Sequence, residues 1–218
     1  MECYVITIMD NENSVSSAKR TIKSAEQFGK HVEHWEATTP KDNPQKIMED
    51  KGIDSSAFKE VYSRHENCMA AFLSHYSLWE KCAFENRDFL ILEHDAVFVN
   101  HIPNTTMLDH VGTVGKPSYG KFNSPAYIGW GPLTQKHYFG GAHAYIVKPS
   151  GAWHLMEMAQ NNPAPTDVFL NKTNFPWLQE WSGWPVEVKD TFTTIQKTEG
   201  CLAKHNYYKE TYVIENVN

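Results

Sequence analysis

The chain has 218 residues and a mass of 25.0 kDa, enough for one large domain with a substantial core at roughly 150 residues per domain. Acidic residues outnumber basic ones by 26 to 20, a formal charge of -6, and Lys and Arg nowhere cluster into the basic face that nucleic acid requires. With 41% hydrophobic and 21% charged residues, the composition excludes disorder, and no apolar run approaches the roughly 20 residues of a membrane span. Aromatic residues reach 13%, with seven Trp, so large flat apolar surfaces either fill the core or line a site. Cys3, Cys68, Cys82 and Cys201 form no CxxC and no zinc-type spacing, and buried free thiols are expected. The opening Met-Glu-Cys-Tyr-Val-Ile has no basic segment and no cleavage site, which leads to the expectation of a cytoplasmic protein, in a bacterium or a virus-infected cell. On that expectation the glycosylation-type sequons at Asn104 and Asn171 are chance matches.

Cys3 to Met9 is a continuous apolar and β-branched run, the pattern of a strand buried on both faces. Val15, Ala18, Ile22, Ala25 and Phe28 then recur at helical spacing, and Gly29 stands where a helix end takes a left-handed residue. His31 to Ala37 offers a second strand of poor period, and residues 38 to 65 are polar and irregular. Met69, Phe72, Leu73, Tyr76, Trp79 and Ala83 mark an amphipathic helix between Glu66 and Phe84. After Asn86-Arg87-Asp88 comes the short apolar run Phe89 to Leu92, ended abruptly by Glu93, His94 and Asp95, and Ala96 to Val99 resumes an extended pattern. Residues 101 to 133 hold four of the eleven Pro and five of the twelve Gly and read mainly as long loops. Ala142 to Val147 predicts a strand, and Pro149 opens a helix with Ala152, Leu155, Met156 and Ala159 on one face. Strands are expected near Val186 to Val188 and Phe192 to Ile195.

This alternation of strands and helices predicts an α/β fold with a mostly parallel central sheet covered by helices on both faces. In such sheets ligands sit beyond the carboxyl ends of the strands, near a switch in strand order. Glu93 and Asp95 stand at that place, two residues apart, so in extended backbone both carboxylates face one side. Such oxygens suit Mg²⁺ or Mn²⁺. Strand ends are also acidic merely because the chain returns to solvent, and spacing alone leaves both possibilities open. Asp10 and Thr38 follow the first two strands, where they can face a nucleobase or serve as turn residues. Lys19 and Arg20 read as solvated helix charges. His31 and His34 would point to opposite faces of a strand, which excludes a metal pair. Trp177, Trp181 and Trp184 make either a platform for sugar rings or one packed helical stripe; the spacing favours packing for most of them, with at least one at the site.

Leu73-Ser74-His75 with Trp79, followed by Phe89 to Phe98 with Leu92-Glu93-His94-Asp95 at its centre, resembles the core signature of glycosyltransferase family 25, an "LSHxxxW" helix leading into a strand that ends in "LEDD". The family includes β-galactosyltransferases of bacterial lipopolysaccharide synthesis and collagen galactosyltransferases. The first strand with the helix bearing Lys19-Arg20, Ala37-Thr38, the strand Gly141 to Val147 and the segment Pro165-Thr166-Asp167 also resemble family features. Two departures stand out: His94 replaces the middle acid, and Asn67-Cys68 only partly matches the Gly-Cys pair that often opens the helix.

The resemblance implies a single GT-A-like (Rossmann-like) domain over residues 1–218, with the nucleotide-sugar and metal part in 1–100 and the acceptor side in 101–218. It implies Mn²⁺ (or Mg²⁺) held by Asp95, with Glu93 on the metal or on the ribose, and Ser74 and His75 near the donor. Asp10 and Thr38 would complete the cofactor-binding set. His94 would either point into the fold or approach the metal as a nitrogen ligand. The reaction implied is inverting transfer of galactose or glucose from a UDP-sugar to a hydroxyl of a glycan or lipid-linked oligosaccharide. A general base is then needed, and Asp167 is the candidate, although Thr166-Asp167 also suits a helix cap. A nucleotide-sugar hydrolase and a non-catalytic binding relic of the same fold are the alternatives.

Overall fold

The computed structural model describes residues 1–58, 63–189 and 192–195 together with the backbone of 213 and 214. Cys201 lies outside the described residues; Cys3, Cys68 and Cys82 are buried free thiols. In chain order the elements are β1 (Glu2–Thr7), α1 (Glu12–Glu26), β2 (Glu33–Glu36), α2 (Pro44–Asp50), α3 (His65–Glu85), β3 (Phe89–Glu93), β4 (Ala96–Phe98) and β5 (Val111–Thr113). They continue with β6 (Trp130–Pro132), β7 (Ala144–Val147), α4 (Pro149–Asn161), α5 (Thr166–Phe169), β8 (Gln179–Trp181), β9 (Val186–Val188) and β10 (Phe192–Thr193). β10 pairs in parallel with the backbone of Val213–Ile214.

Seven strands form one sheet in the order β2-β1-β3-β7-β5-β8-β6. β1 runs parallel to β2 and β3, and β8 runs parallel to β5. β7 is antiparallel to both β3 and β5, and β6 is antiparallel to β8. Five strands thus share one direction, and the sheet is mostly parallel. β4 leaves it to pair with β9 in a two-stranded ribbon.

Both faces are covered, as continuous apolar strands require. Tyr4, Ile6, Phe89, Ile91, Tyr145 and Val147 enter the core shared with α3 and α4. Their alternating neighbours Cys3, Val5, Leu90, Leu92, Ala144 and Ile146 enter the opposite core, with Ala18 and Ala25 of α1 and Ala96 and Phe98 of β4. No helix among the described residues is long and apolar enough to cross a membrane.

Local signals explain the helix ends. Asn11 caps α1 by accepting from the Ser14 amide at 2.8 Å, and Gly29 follows it at φ +69°. α3 stops at Asn86, left-handed at φ 54°. α2 went unexpected in the polar stretch: its seven residues start from Asn43, left-handed at φ 54°, with Pro44 in the first turn. The segment read as loop between 101 and 133 holds β5 and β6, three residues each, too short to show a period. The late tryptophans form no helical stripe. Trp181 ends β8 and meets Trp130, Trp177 packs with Phe175 and His154, and Trp184 meets Phe122. Pro176 and Pro185 bound too short a stretch, and a strand, not a helix, joins its neighbours across the sheet.

Candidate active site

The carboxyl ends of β1, β2 and β3 meet at one edge, since these strands are parallel and in register from Tyr4, Glu33 and Ile91. Glu93 is the last residue of β3 and continues the face of Phe89 and Ile91, toward α3. The backbone then turns instead of staying extended, so Glu93 and Asp95 belong to a strand end and a turn, not to one strand face. The two acids are nonetheless close enough to interact. Burial pushes the Glu93 carboxyl well above the usual carboxylate range, and the charges of Asp95 and Asp167 push the same way. Asp167, in the first turn of α5, is thereby placed at the same site across a separation of more than 70 residues. Its Oδ1 accepts the Val168 amide at 2.9 Å, and its Oδ2 accepts the Tyr119 hydroxyl.

His94 points away from this group. Its Nδ1 lies 3.0 Å from Ser14 Oγ, and its ring stacks on Phe192 at 5.0 Å and 10°. Thr21 Oγ1 contacts the carbonyl oxygens of His94 at 2.8 Å and of Ala96 at 2.6 Å. The middle residue of the acidic turn is therefore an anchor to α1.

Behind Glu93 lies a buried polar chain. The indole Nε1 of Trp79 can only donate, and it does so to Tyr145 Oη at 2.8 Å. The tyrosine proton is then directed to His75 Nδ1 at 2.9 Å, which leaves His75 Nε2–H to donate to Glu93 Oε1 at 3.3 Å. Burial lowers the His75 pKa to about 3, against the opposing charge of Asp167, so the ring is neutral. His75 and Trp79 lie four apart on one face of α3, which accounts for their spacing in the sequence.

The remaining expected site residues fall into two groups. Thr38 reaches the same edge through its amide, which donates to Ser74 Oγ at 2.9 Å. Ser74 and His75, expected near the donor, are each 1% exposed. Ser74 ties the loop after β2 to α3 through Thr38 and the Ala70 carbonyl. Asp10 stands just beyond β1, exposed, and pairs with Lys41 at 2.5 Å. Arg20, read as solvated, donates to the Lys189 carbonyl at 3.1 Å.

Sequence reasoning missed Tyr145, Tyr119, Lys136 and His143. Tyr145 and His143 were visible only as residues of the strand expected over 142 to 147, and Tyr119 and Lys136 lie in segments without periodicity. His143 stands across from Glu93, whose amide donates to the His143 carbonyl at 3.0 Å. Its ring is 1% exposed, neither nitrogen has a hydrogen-bond partner among the described residues, and burial lowers its pKa to about 4. Gly115 makes room for that ring: a Cβ there would lie 2.4 Å from His143 Nε2.

The donor set fits a hard divalent cation. Glu93 and Asp95 offer carboxylate oxygens, and their mutual repulsion, visible in the raised Glu93 pKa, is relieved by positive charge. Among the described residues no three His, Cys, Asp or Glu side chains form a closed cage. Carboxylate oxygens are the ligand type of Mg²⁺ and Mn²⁺.

Comparison with known proteins gives the following. Residues 13–170 match the family model described as "Glycosyltransferase family 25 (LPS biosynthesis protein)". No curated protein matches. Among solved structures, a glycosyltransferase involved in the glycosylation of the major capsid of PBCV-1 is 11% identical, with 75% of this chain and 69% of that one covered at a TM-score of 0.35. Mouse xyloside xylosyltransferase 1 in its apo form is 10% identical, with 88% and 87% covered and a TM-score of 0.42. The apo glycosyltransferase GlyE of Streptococcus pneumoniae TIGR4 is 12% identical, with 87% and 45% covered and a TM-score of 0.39.

Proposed function

The chain belongs to glycosyltransferase family 25, and from that premise we propose that it transfers galactose or glucose from a UDP-sugar to a hydroxyl of a glycan or lipid-linked oligosaccharide, with inversion and with the help of Mn²⁺ or Mg²⁺. The observation that carries the proposal is the position of Glu93 at the end of β3 and of Asp95 in the turn after it, at the carboxyl edge of the sheet, with the charge of Asp167 from α5 reaching Glu93.

Glu93 and Asp95 would hold the cation, which supplies Lewis-acid stabilisation to the departing diphosphate. His75 donates to Glu93 and fixes the rotamer in which that carboxylate faces the edge. Asp167 takes the proton of the acceptor hydroxyl as its oxygen bonds to the anomeric carbon; the bond from that carbon to the diphosphate breaks, and the nucleoside diphosphate leaves with the electron pair. The bonds from Val168 and Tyr119 hold the Asp167 carboxylate in one orientation while leaving it lone pairs for the incoming hydroxyl. Asp10 and Thr38, just beyond the ends of the neighbouring strands, would meet the nucleoside.

Replacement of Asp95 supplies the test. Asp95→Ala is expected to abolish Mn²⁺-dependent turnover of a UDP-sugar, measured by release of UDP, while circular dichroism and melting stay near wild type. Turnover at the wild-type rate would remove Asp95 from the metal site. Label from the donor sugar ending in water alone, with no acceptor product across a glycan panel, would favour a hydrolase.

A further inference from the structure

Above Asp167 lies a group of residues that the transfer chemistry leaves unused. The backbone of 137–139 runs beside 170–172, just past α5: the Phe139 amide donates to the Leu170 carbonyl at 3.0 Å and the Lys172 amide to the His137 carbonyl at 2.9 Å. This pairing carries Lys136 and Tyr138 to the Asp167 side of the site. A second loop folds against it, with the Ser118 amide on the Gly140 carbonyl at 2.7 Å and the Asn123 amide on the Gln135 carbonyl at 2.9 Å. That loop brings Tyr119, whose hydroxyl donates to Asp167.

Tyr119 and Tyr138 stack at 6.3 Å and 26°, and the Lys136 ammonium lies over both rings, 4.7 Å and 5.5 Å from their centroids. It is half-buried, and no hydrogen bond or ion pair holds it among the described residues. Ring faces stabilise the cation only in part and leave its N–H donors available to an anion. Gly120 faces the ammonium, with φ +66° and a position where a Cβ would come within 3.0 Å of Nζ. Burial lowers the Lys136 pKa, and the charge of Asp167 opposes that shift.

We infer that Lys136, seated on Tyr119 and Tyr138, is the anion-binding element of the acceptor site, so that the preferred acceptor is an acidic sugar bearing a carboxylate or phosphate near the hydroxyl that is glycosylated. The inference rests on the assignment of Asp167 as the base, because that assignment fixes which substrate passes beside Lys136. Its physical basis is charge. Glu93, Asp95 and Asp167 repel an anionic acceptor, and a metal ion on Glu93 and Asp95 would be engaged by the donor. A separate cation beside Asp167 supplies the missing attraction, whereas a neutral acceptor needs none.

Three monosaccharide probes separate the outcomes: methyl galactoside, methyl galacturonide and galactose 6-phosphate, with binding followed by saturation-transfer NMR and by titration at two salt concentrations. The wild-type protein should bind at least one acidic probe about tenfold more tightly than the neutral one, with the preference weakened by salt. Lys136→Met should lose that preference, and Lys136→Arg should restore most of it. The stronger of the two acidic probes identifies the group as carboxylate or phosphate. Equal binding of neutral and acidic probes by the wild type, or a preference retained in Lys136→Met, overturns the inference, as does the absence of binding by all three. The assignment of the base is scored independently through Asp167→Asn. Loss of donor turnover there alongside an unchanged preference in Lys136→Met refutes the acidic acceptor alone, and retained turnover refutes the assignment on which it rests.

Discussion

At the scale of single residues, Tyr145 links the core to the chemistry. Its oxygen accepts from Trp79, its proton goes to His75, and His75 in turn holds Glu93. Tyr145→Phe leaves the Trp79 N–H and His75 Nδ1 buried and unpaired, which should lower stability by about 1–3 kcal/mol in urea denaturation. It should also release the His75 tautomer, so that ¹⁵N NMR shows a mixture in place of one Nε2–H form. A single unchanged tautomer would mean that Tyr145 does not orient the ring. Trp79 was legible from the apolar spacing of α3, and His75, four residues before it on the same helix face, only by resemblance. Tyr145 was invisible as their partner, because a strand residue shows which face it takes and not which helix side chain waits there.

At the scale of elements, α1 acts as a clamp on the acidic turn. Thr21 reaches the carbonyls of His94 and Ala96, and Ser14 reaches the His94 ring. Thr21→Val keeps the shape and removes the donor; it should cost about 1–2 kcal/mol and raise the Mn²⁺ concentration needed for half-maximal donor turnover. Unaltered metal dependence would show that the turn keeps its geometry without the helix. Elements with long periodic signals were legible: β1, α1, α3, β3, β7 and α4 stand close to where apolar spacing put them. β2 had a poor period because it is an edge strand whose residues Glu33, His34 and Glu36 are exposed. β5, β6 and β8 are too short to carry a period and exist through pairing with distant strands. Glu93 and Asp95 were found because they interrupt an apolar run, and Asp167 was found by resemblance. Tyr119 and Lys136 sit in loops whose approach to α5 depends on tertiary pairing alone.

At the scale of the whole molecule, two buried neutral histidines shape the response to acid. Burial holds His75 near pKa 3 and His143 near 4, below the roughly 6.5 of an unfolded imidazole. Below that pH the unfolded chain takes up protons that the folded chain refuses, so stability falls from pH 6.5 down to the folded values. Glu93, with its raised pKa, acts oppositely and returns some stability as pH approaches the carboxylate range. Each histidine contributes a slope of at most about 1.4 kcal/mol per pH unit. His143→Gln removes one of them, and neither nitrogen of that ring has a bond to lose among the described residues. Urea denaturation at pH 7 and pH 5 should therefore show a smaller loss of stability in the variant than in the wild type; equal losses would mean that His143 protonates in the folded state.

The reversed strand β7 bears on how the two chemical halves of the chain are joined. Glu93 and Asp95 come from residues 1–100, and Asp167, Tyr119, Lys136 and Tyr145 from 101–218, yet β7 lies between β3 and β5 in one hydrogen-bonded ladder. Removing the second half would strip β3 of the neighbour on one side and expose an apolar strand with open N–H and C=O groups, a template for aggregation. The residues proposed for donor and for acceptor chemistry are thus separated along the sequence but joined in one sheet: neither half could be exchanged as a cassette without rebuilding the seam that runs between β3 and β7.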